Sequence, residues 1–260
     1  MNPAPPAGTI TIAGKKVSRL GFGTMRLTGP GSWGDPEDRE TALNVLRKAV
    51  YTHGISHIDT ADAYGPHTAE HLVQEALHPY PEDVLIATKV GVLRPAPGQW
   101  VPLGNPFYLR SSVEASLRRL RVERLDLCYL HHIDREVALD DQIAVMQALH
   151  DEGKIGHIGL SKVTPEDIDY VGKSLTIAAV QNVLNMHPDN LDPAVELCGE
   201  LQIPYVPYSP LGADALARAQ GVLAPMHWLL NYADHIAPIP STCEPRHLDE
   251  IVAAVRANAK

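Results

Sequence analysis

The sequence predicts a closed barrel of eight parallel β-strands, each followed by a helix. Short apolar runs alternate with amphipathic helical patterns over most of the chain, and the connections between them are short, as in a parallel α/β sheet. Eight such units within 260 residues favour a (β/α)8 TIM barrel, for which about 250 residues are typical. The predicted strands span residues 20–23, 55–59, 84–88, 125–130, 155–160, 177–183, 205–206 and 236–239.

Two shorter apolar runs precede the barrel, at residues 9–12 and 17–20, on either side of a turn that contains Gly14. This pattern predicts an N-terminal β-hairpin, which would plug the bottom of the barrel. Residues 2–8 are rich in proline, alanine and glycine. We therefore expect residues 1–8 to form a flexible tail and residues 9–260 to form a single domain.

The helical segments carry their own start and stop signals. Thr164 and Pro165 offer an N-cap and a proline at the first helical position. Gly153 is expected in the left-handed conformation that ends the preceding helix. Residues 111–114, with the sequence SSVE, match a capping box and predict a helix start there. Residues 211–231 are the least clear stretch, because glycine and proline interrupt their helical pattern.

Composition limits the classes of partner and compartment. Lysine and arginine number 22 against 31 aspartate and glutamate, a formal net charge of −9, which disfavours nucleic acid and anionic membranes as partners. Cys128, Cys198 and Cys243 lie far apart without a CxxC motif, as is typical of a reducing compartment. The sequence shows no signal-peptide pattern and no apolar run near the ~18 residues of a membrane span. We therefore expect a cytoplasmic monomer or weak homodimer that acts on a small molecule.

Polar side chains follow the second, third and fourth predicted strands, at the end where a parallel barrel carries its active site. Asp59 ends the second strand, and Tyr64 comes five residues later. Lys89 follows the third strand and His131 the fourth. Each residue alone is commonly a turn cap, a loop residue or a core side chain. Their joint placement predicts that all four meet at one mouth of the barrel.

These four residue types suit proton transfer to a carbonyl oxygen. A tyrosine with a pKa of about 10 is a poor acid at neutral pH, and we expect the charge of Lys89 to lower the pKa of Tyr64. Asp59 would keep Lys89 charged and oriented, and His131 would polarise the carbonyl. A positioned general acid of this kind contributes roughly 10²–10⁴ in rate.

The same residues resemble the catalytic tetrad of the aldo-keto reductase superfamily, NAD(P)H-dependent reductases on a (β/α)8 barrel. Residues 126–131, DLCYLH, and residues 153–161, GKIGHIGLS, are similar to two further motifs of that family. The likeness runs from about residue 9 to about residue 255. It implies reduction of an aldehyde or ketone, with Tyr64 as proton donor and with His131 orienting the substrate carbonyl.

The resemblance also implies NADPH as the cofactor and assigns residues to it. Those that would contact the cofactor are Gly23, Thr24, Met25, Asp59, Ser161, Lys162, Gln181, Tyr208, Ser209, Pro210, Leu211, Ser241, Thr242, Arg246 and His247. Those that would face the substrate are Trp33, Tyr64, Trp100, His131 and His132, together with the loop at residues 91–106.

Two departures from the family pattern bear on the cofactor. Lys162 stands where the family usually has asparagine, which puts a cation beside the nicotinamide carboxamide. In the phosphate region, Arg246 and His247 replace the usual arrangement, and a cation there would favour NADPH over NADH.

Two other functions fit part of the sequence. A metal-dependent barrel hydrolase could draw on 13 histidines, but the neighbours His131 and His132 should point to opposite faces of their strand, so we expect no metal site. A nucleotide-sensing barrel without turnover is the second alternative, because Lys162 and the phosphate region depart from the family. Metal content after purification tests the first, and NADPH binding without turnover would indicate the second.

Overall fold

The computed structural model describes residues 3–212 and 221–257. Its strands are β1 Thr9–Ile12, β2 Lys15–Ser18, β3 Phe22–Gly23, β4 His57–Asp59, β5 Leu85–Val90, β6 Val92–Leu93, β7 Val101–Pro102, β8 Leu127–Leu130, β9 Ile158–Ser161 and β10 Ile177–Gln181. Its α-helices are α1 Arg39–Arg47, α2 Thr68–Leu77, α3 Pro106–Leu120, α4 Leu139–Asp151, α5 Pro165–Val171, α6 Ala194–Glu200, α7 Leu223–Tyr232 and α8 Pro245–Ala257. A π-helical turn, Lys48–Thr52, extends α1, and short 3₁₀ turns lie at Met25–Leu27, Pro30–Ser32 and Pro188–Asn190.

Six strands form one parallel sheet in the order β10-β9-β8-β5-β4-β3. Parallel bridges continue the ring from Val180 to Tyr205 and from Tyr205 to Ile236. The ring closes where the Gly21 N–H donates to the carbonyl oxygen of Pro238 at 2.9 Å. The fold is therefore the predicted α/β barrel, with main-chain pairing around its whole circumference.

The seventh and eighth predicted strands, residues 205–206 and 236–239, appear only as isolated bridges. The reason is chemical: this part of the ring contains Pro204, Pro207, Pro238 and Pro240, and proline has no N–H to donate to a ladder. Other predicted strands begin one to three residues too early. Leu125 and Ile155, for example, are buried and joined by a single bridge before β8 and β9 begin.

Strand alternation separates the two larger apolar clusters of the core. Leu85 and Ala87 of β5 and Leu127 and Tyr129 of β8 belong to a cluster inside the barrel. Alternate residues of the same strands, such as Ile86, pack outward in a larger cluster with the helices. Because successive side chains of a strand point to opposite faces, the inward-facing series of β5 continues to residue 89 and that of β8 to residue 131.

The N-terminal hairpin packs at the bottom of the barrel. β1 and β2 pair antiparallel, and Ile12 and Val17 join the apolar cluster of the barrel interior. The Lys15 ammonium donates to the Val84 carbonyl at 3.0 Å and pairs with Asp126 at 2.7 Å, near the first residues of β5 and β8.

The residues before the hairpin also contact the barrel. Pro6 is buried, Ala7 packs against the core, and the Gly8 carbonyl accepts from the Arg19 N–H at 3.0 Å. Residues 3–8 are thus attached along the barrel rather than detached from it, while residues 1 and 2 lie outside the described residues. The flexibility of residues 1–8 and the single domain over residues 9–260 remain predictions.

One predicted helix start is wrong. Residues 111–114 lie inside α3, which begins at Pro106 and is capped by Asn105, whose side chain accepts from the Phe107 and Tyr108 N–H groups. Asparagine followed by proline is itself a strong start signal, and it places the helix one and a half turns earlier. The SSVE sequence therefore lies in the interior of the helix and does not cap its start.

Other helix signals are confirmed. Thr164 and Asp167 form a reciprocal capping box at the start of α5, with Pro165 at its first position. Gly153 follows α4 with φ +77°, in the left-handed region. In the unclear stretch, Pro225 lies in the first turn of α7, where its missing N–H has no helical partner to lose, while residues 213–220 lie outside the described residues. Within the described ranges, no helix is long and apolar enough to cross a membrane.

Candidate active site

Four side chains meet at the carboxyl ends of β4, β5 and β8. Asp59 and Lys89 are the inward-facing residues at the tops of β4 and β5, and His131 directly follows β8. Tyr64 enters from the loop between β4 and α2. Lys89 and Asp59 are 0% and 1% exposed, and Tyr64 and His131 are also buried. The predicted convergence of these residues at one mouth is present in the structure.

Lys89 is the centre of this group. Its ammonium donates to Asp59 Oδ1 at 2.5 Å, to the Thr60 carbonyl at 2.9 Å and to the Tyr64 hydroxyl oxygen at 3.2 Å. Three acceptors match the three N–H bonds of an ammonium group. The second carboxylate oxygen of Asp59 accepts from the Gln181 amide at 2.8 Å. Lys89 therefore holds the phenol oxygen at a fixed position relative to the Asp59 carboxylate.

The electrostatics of the pair favour a charged lysine beside a neutral phenol. Burial lowers the pKa of Lys89, but the charges of Asp59 and Tyr64 and their hydrogen bonds outweigh it and raise that pKa above its usual value. Burial raises the pKa of Tyr64, and Lys89 opposes the rise without reversing it. The expectation that Lys89 leaves Tyr64 with a lowered pKa is thus wrong for this structure. The free-energy cost of desolvating a buried phenolate exceeds the stabilisation that one neighbouring cation provides.

His131 is held neutral in the same pocket. Burial, followed by the charges of Lys89 and Lys162, lowers its pKa well below 6.5. Its Nδ1 is buried and makes no hydrogen bond to any described residue. Below the group, burial lowers the pKa of His57 to about 4, so this histidine is also neutral. A neutral imidazole can donate one hydrogen bond without adding a charge that would compete with Lys89.

Aromatic rings enclose the outer side of the phenol. The Tyr64 ring lies edge-on to the rings of Trp100 and His131, with centroids 6.3 and 5.8 Å away, and Trp100 and His131 are 6.4 Å apart. Trp33, partly buried, stands in the loop after β3 and is bridged to Gly65. We call Trp33, Tyr64 and Trp100 the aromatic wall. His132, also predicted to face the substrate, is half-buried and its Nδ1 lies 2.9 Å from the Ile133 carbonyl.

The residues predicted to hold a nicotinamide lie beside the tetrad. Ser161 and Gln181 end β9 and β10 and are each 1% exposed. Thr24 is 0% exposed, and its hydroxyl has no hydrogen-bond partner among the described residues. Tyr208 is partly buried and bridged to Val183. The buried Thr24 hydroxyl can both donate and accept a hydrogen bond, so this group of polar side chains suits a ligand rich in hydrogen-bonding groups.

The other residues predicted to contact the cofactor lie where main-chain segments pack closely. A Cβ on Gly23 would come within 3.0 Å of the Ile239 carbonyl oxygen, so only glycine lets these segments lie so close. The neighbouring Met25 is exposed, and Ser241 accepts from the Arg26 N–H at 3.0 Å. Ser209 has φ +49° and is exposed, followed by buried Pro210 and partly buried Leu211.

The predicted phosphate region surrounds the first turn of α8. The Thr242 hydroxyl accepts from the Glu244 N–H at 3.1 Å, and its oxygen lies 3.1 Å from His247 Nδ1. Arg246 is exposed one residue into α8. A helix N-terminus with arginine and histidine suits an anion, although exposed Glu244 adds an opposing charge.

Lys162 differs from the usual residue of the family in type, and its main chain adopts a conformation that is uncommon for lysine. It has φ +56°, a conformation that asparagine adopts more readily than lysine, and its N–H donates to the Gln181 carbonyl at 3.1 Å. Burial of part of its side chain, and then the charge of Lys89, lowers its pKa. The positive charge of Lys89 thus opposes that of Lys162, whose side chain is still partly exposed to solvent.

Sequence reasoning missed two features of the site. The first is the hydrogen bond from Gln181 to Asp59, because Gln181 was expected only to contact the cofactor. The second is Arg94, a lone arginine in a loop, which packs behind the aromatic wall. No spacing or motif marks either contact, since most of the partners are distant in the sequence and come together only in the folded chain. Within the described residues, no three His, Cys, Asp or Glu side chains are grouped so as to hold a metal ion.

Comparison with known proteins agrees with the fold and identifies the family. A family model described as "Aldo/keto reductase family" matches residues 19–227. The chain belongs to the aldo/keto reductase family, and it is an oxidoreductase. It is 36% identical over 266 residues to pyridoxine 4-dehydrogenase of Escherichia coli, an alignment that covers 95% of this chain and 93% of that protein.

Solved structures share the barrel. A putative aldo-keto reductase from Pseudomonas aeruginosa superposes with a TM-score of 0.82 at 27% identity, covering 99% of this chain and 98% of the other. An aldo-keto reductase from Klebsiella pneumoniae, solved in complex with NADPH, superposes with a TM-score of 0.75 at 22% identity, covering 95% and 89% of the two chains.

Proposed function

We propose that this protein reduces a small aldehyde or ketone to the alcohol with NADPH, and that Tyr64 donates the proton. The observation that carries the proposal is the bonding of one buried ammonium, Lys89, to both Asp59 at 2.5 Å and the Tyr64 hydroxyl at 3.2 Å. This arrangement keeps the phenol positioned and stabilises the phenolate that remains after its proton leaves.

The polar side chains beside the tetrad suit NADPH chemically. The unpartnered hydroxyl of Thr24 and the buried side chains of Ser161 and Gln181 would hold the nicotinamide end, and Tyr208 would lie against its ring. Arg246 and His247 would face the adenosine phosphate. Bound there, NADPH supplies the hydride to the carbonyl carbon, which is chemistry that the protein side chains cannot provide.

The protein side chains supply orientation and the proton. Tyr64 stays protonated because burial keeps its pKa high, so a proton is available at neutral pH. Neutral His131 donates a hydrogen bond to the substrate carbonyl oxygen and polarises it. Trp100, edge-on to both rings, shields the reacting oxygen from water. Charge that develops on the carbonyl oxygen is met by Tyr64 and His131 before the proton moves.

The aromatic wall favours substrates that carry a flat ring. Trp100 lies edge-on to Tyr64, and Trp33 and Trp100 both contact Arg94, so three aromatic rings are grouped beside the proton donor. The similarity to pyridoxine 4-dehydrogenase points the same way, because the oxidised partner of that alcohol, pyridoxal, is an aldehyde on a pyridine ring. We propose an aldehyde on a small aromatic ring as the substrate class. We also retain the expectation of a cytoplasmic monomer or weak homodimer.

The experiment that tests this function is a screen of carbonyl compounds with the purified protein and NADPH. Pyridoxal, other aromatic aldehydes, aliphatic aldehydes and ketones are compared by the loss of dihydronicotinamide absorbance. The proposal expects turnover that is fastest with the aromatic aldehydes. Tight NADPH binding without turnover of any compound would instead favour the nucleotide-sensing barrel.

The pH dependence follows from the direction of two pKa shifts. The reduction needs the protonated phenol, and since the pKa of Tyr64 is raised above 10.0, the rate of reduction should stay level through neutral pH and fall only above about pH 10. No step should appear near pH 6.5, because His131 remains neutral. Oxidation of the alcohol needs the phenolate, so its rate should rise with pH over the same range. A reduction rate that falls between about pH 7 and 8 would contradict a raised Tyr64 pKa.

The choice of cofactor tests the phosphate region. Arg246→Ala and His247→Ala should each weaken NADPH binding by roughly 3- to 10-fold while leaving NADH binding nearly unchanged, since only NADPH carries the extra phosphate. Dissociation constants measured by fluorescence for both nucleotides give the ratio of NADPH affinity to NADH affinity directly. Lys48→Ala, which removes a cation paired with Asp249 further along α8, is the control for loss of a positive charge. Equal losses for both nucleotides, or none for either, would assign the phosphate to other residues.

A further inference from the structure

Arg94 lies behind the aromatic wall, directly after β6, and is 6% exposed. Its guanidinium donates to four main-chain carbonyls. The contacts are Nε to Gln99 at 2.8 Å, Nη1 to Ser32 at 3.1 Å and to Ala63 at 3.0 Å, and Nη2 to Gly31 at 3.3 Å. Arg94 forms no ion pair with any carboxylate in the described part of the chain. A buried cation satisfied by carbonyls alone therefore joins three separate loops.

The accepting carbonyls share one property of position. Three of them belong to the residue immediately before a member of the aromatic wall: Ser32 before Trp33, Ala63 before Tyr64, and Gln99 before Trp100. A hydrogen bond to a carbonyl fixes the peptide plane that follows it, and thus the N and Cα of the next residue. One guanidinium therefore fixes the main chain at the base of all three rings.

Ring contacts reinforce these hydrogen bonds. The guanidinium carbon of Arg94 lies 3.6 Å from the centroid of the Trp100 ring and 5.5 Å from that of Trp33. At 3.6 Å the cation is in direct contact with the indole face, the geometry of a cation–π interaction. Trp100 also meets Tyr64 and His131 edge-on. Trp100 thus contacts both Arg94 and the reacting groups.

We propose that Arg94 is a positioning residue, which fixes Trp33, Tyr64 and Trp100 relative to one another and so sets the distance between the bound ring of the substrate and the proton donor. This inference rests on the proposed carbonyl reduction for its kinetic consequence. Its structural part, that one side chain holds the wall together, does not depend on turnover.

Lysine cannot replace arginine in this role. The four bonds use the fixed, planar fork of the guanidinium, and the same plane stacks on Trp100. An ammonium carries the same charge but has three donors on one nitrogen and no plane to stack. Arg94→Lys therefore keeps the charge while releasing at least one loop and the contact with the indole face.

The chain contains a matched control. Arg19 is also partly buried and donates to three main-chain carbonyls, those of Leu230, Ala233 and Ile236, at the bottom of the barrel. Arg19→Lys removes the same kind of contact far from the tetrad. Both variants should unfold at lower temperature than the wild type, which measures the purely structural effect.

Kinetics separate positioning from stability. Well below the unfolding transition, Arg94→Lys should lower kcat/KM for an aromatic aldehyde by about 10- to 100-fold, since a displacement of roughly 1 Å at the reacting groups costs about that much. We expect KM to rise because Trp33 and Trp100 would no longer hold the substrate in place. We expect kcat to fall because Tyr64 would be displaced from the carbonyl oxygen. The NADPH dissociation constant should not change. Arg19→Lys should keep wild-type kcat and KM.

Fluorescence provides a readout that needs no turnover. The chain has three tryptophans, so a Trp228→Phe background leaves only Trp33 and Trp100 as reporters. In that background, Arg94→Lys should increase quenching by acrylamide, and Arg19→Lys should not. Arg94→Gln, which retains two amide donors, replaces Arg94→Lys should the latter not fold.

The outcomes are distinct. Increased quenching together with a lower kcat/KM supports the positioning role. Quenching and kinetics equal to those of Arg19→Lys would overturn it and leave Arg94 a stabilising residue only. If the wild type reduces no carbonyl compound, the proposed function fails, while increased quenching in Arg94→Lys still supports the structural part of the inference and unchanged quenching still overturns it.

Discussion

Replacing Tyr64 with phenylalanine should lower kcat for carbonyl reduction by about 10²- to 10⁴-fold, the range expected for loss of a positioned general acid. The ring and its packing against Trp100 and His131 remain, and Lys89 keeps its bonds to Asp59 and to the Thr60 carbonyl. The NADPH dissociation constant should therefore stay close to that of the wild type. Steady-state kinetics and a fluorescence titration of the same preparation measure the two quantities.

Tyr80→Phe is the matched control for loss of a phenol. The Tyr80 hydroxyl donates to the Leu120 carbonyl at 2.8 Å, outside the site, so its removal should affect stability and leave kcat unchanged. If Tyr64→Phe lost NADPH affinity and turnover to the same extent, the hydroxyl would act in binding, and its assignment as proton donor would be wrong.

The second large effect is expected at Lys89. In Lys89→Met the Asp59 carboxylate, 1% exposed, would remain buried with one donor, Gln181. Removing one partner of a buried ion pair typically costs about 3–5 kcal/mol in the free energy of unfolding. Turnover should also fall, because the phenolate left by Tyr64 would lose its neighbouring cation. Chemical denaturation and kcat measure the two losses.

A double variant and a surface pair provide the comparison. Asp59→Asn combined with Lys89→Met leaves no charge at these two positions, so it should recover part of the stability lost by Lys89→Met while turnover stays low. Lys48→Met breaks a half-exposed pair with Asp249 and should cost at most about 1 kcal/mol. A double variant as unstable as the sum of the two single variants would show that the buried pair is not coupled as described.

Most of the barrel could be predicted from the alternation of short apolar runs with amphipathic helical patterns. The strands are continuous apolar runs because they are buried on both faces, inside the barrel and against the helices. The seventh and eighth strands show where this reasoning fails. Their prolines lack the N–H groups that regular strand pairing needs. The residues there are therefore buried but form only isolated bridges. The start of α3 was misplaced for a different reason: SSVE and Asn105-Pro106 are both start signals, and only packing decides between them.

The tetrad could be predicted because its residues stand at the ends of strands, where topology alone brings them together. Its electrostatics could not. A neighbouring lysine suggests a lowered Tyr64 pKa, but the depth of burial, which reverses the sign, is a property of the folded site. Arg94 was missed for a related reason, since its partners are main-chain carbonyls that have no sequence signature.

The most direct test of the account combines binding and chemistry in one sample. NADPH is titrated by fluorescence into wild-type protein and into Tyr64→Phe, pyridoxal is then added, and the loss of dihydronicotinamide is followed together with the appearance of the alcohol. We expect saturable NADPH binding by both proteins and rapid alcohol formation by the wild type alone. Equal alcohol formation by both proteins, or saturable binding with no alcohol from any carbonyl compound, would contradict it.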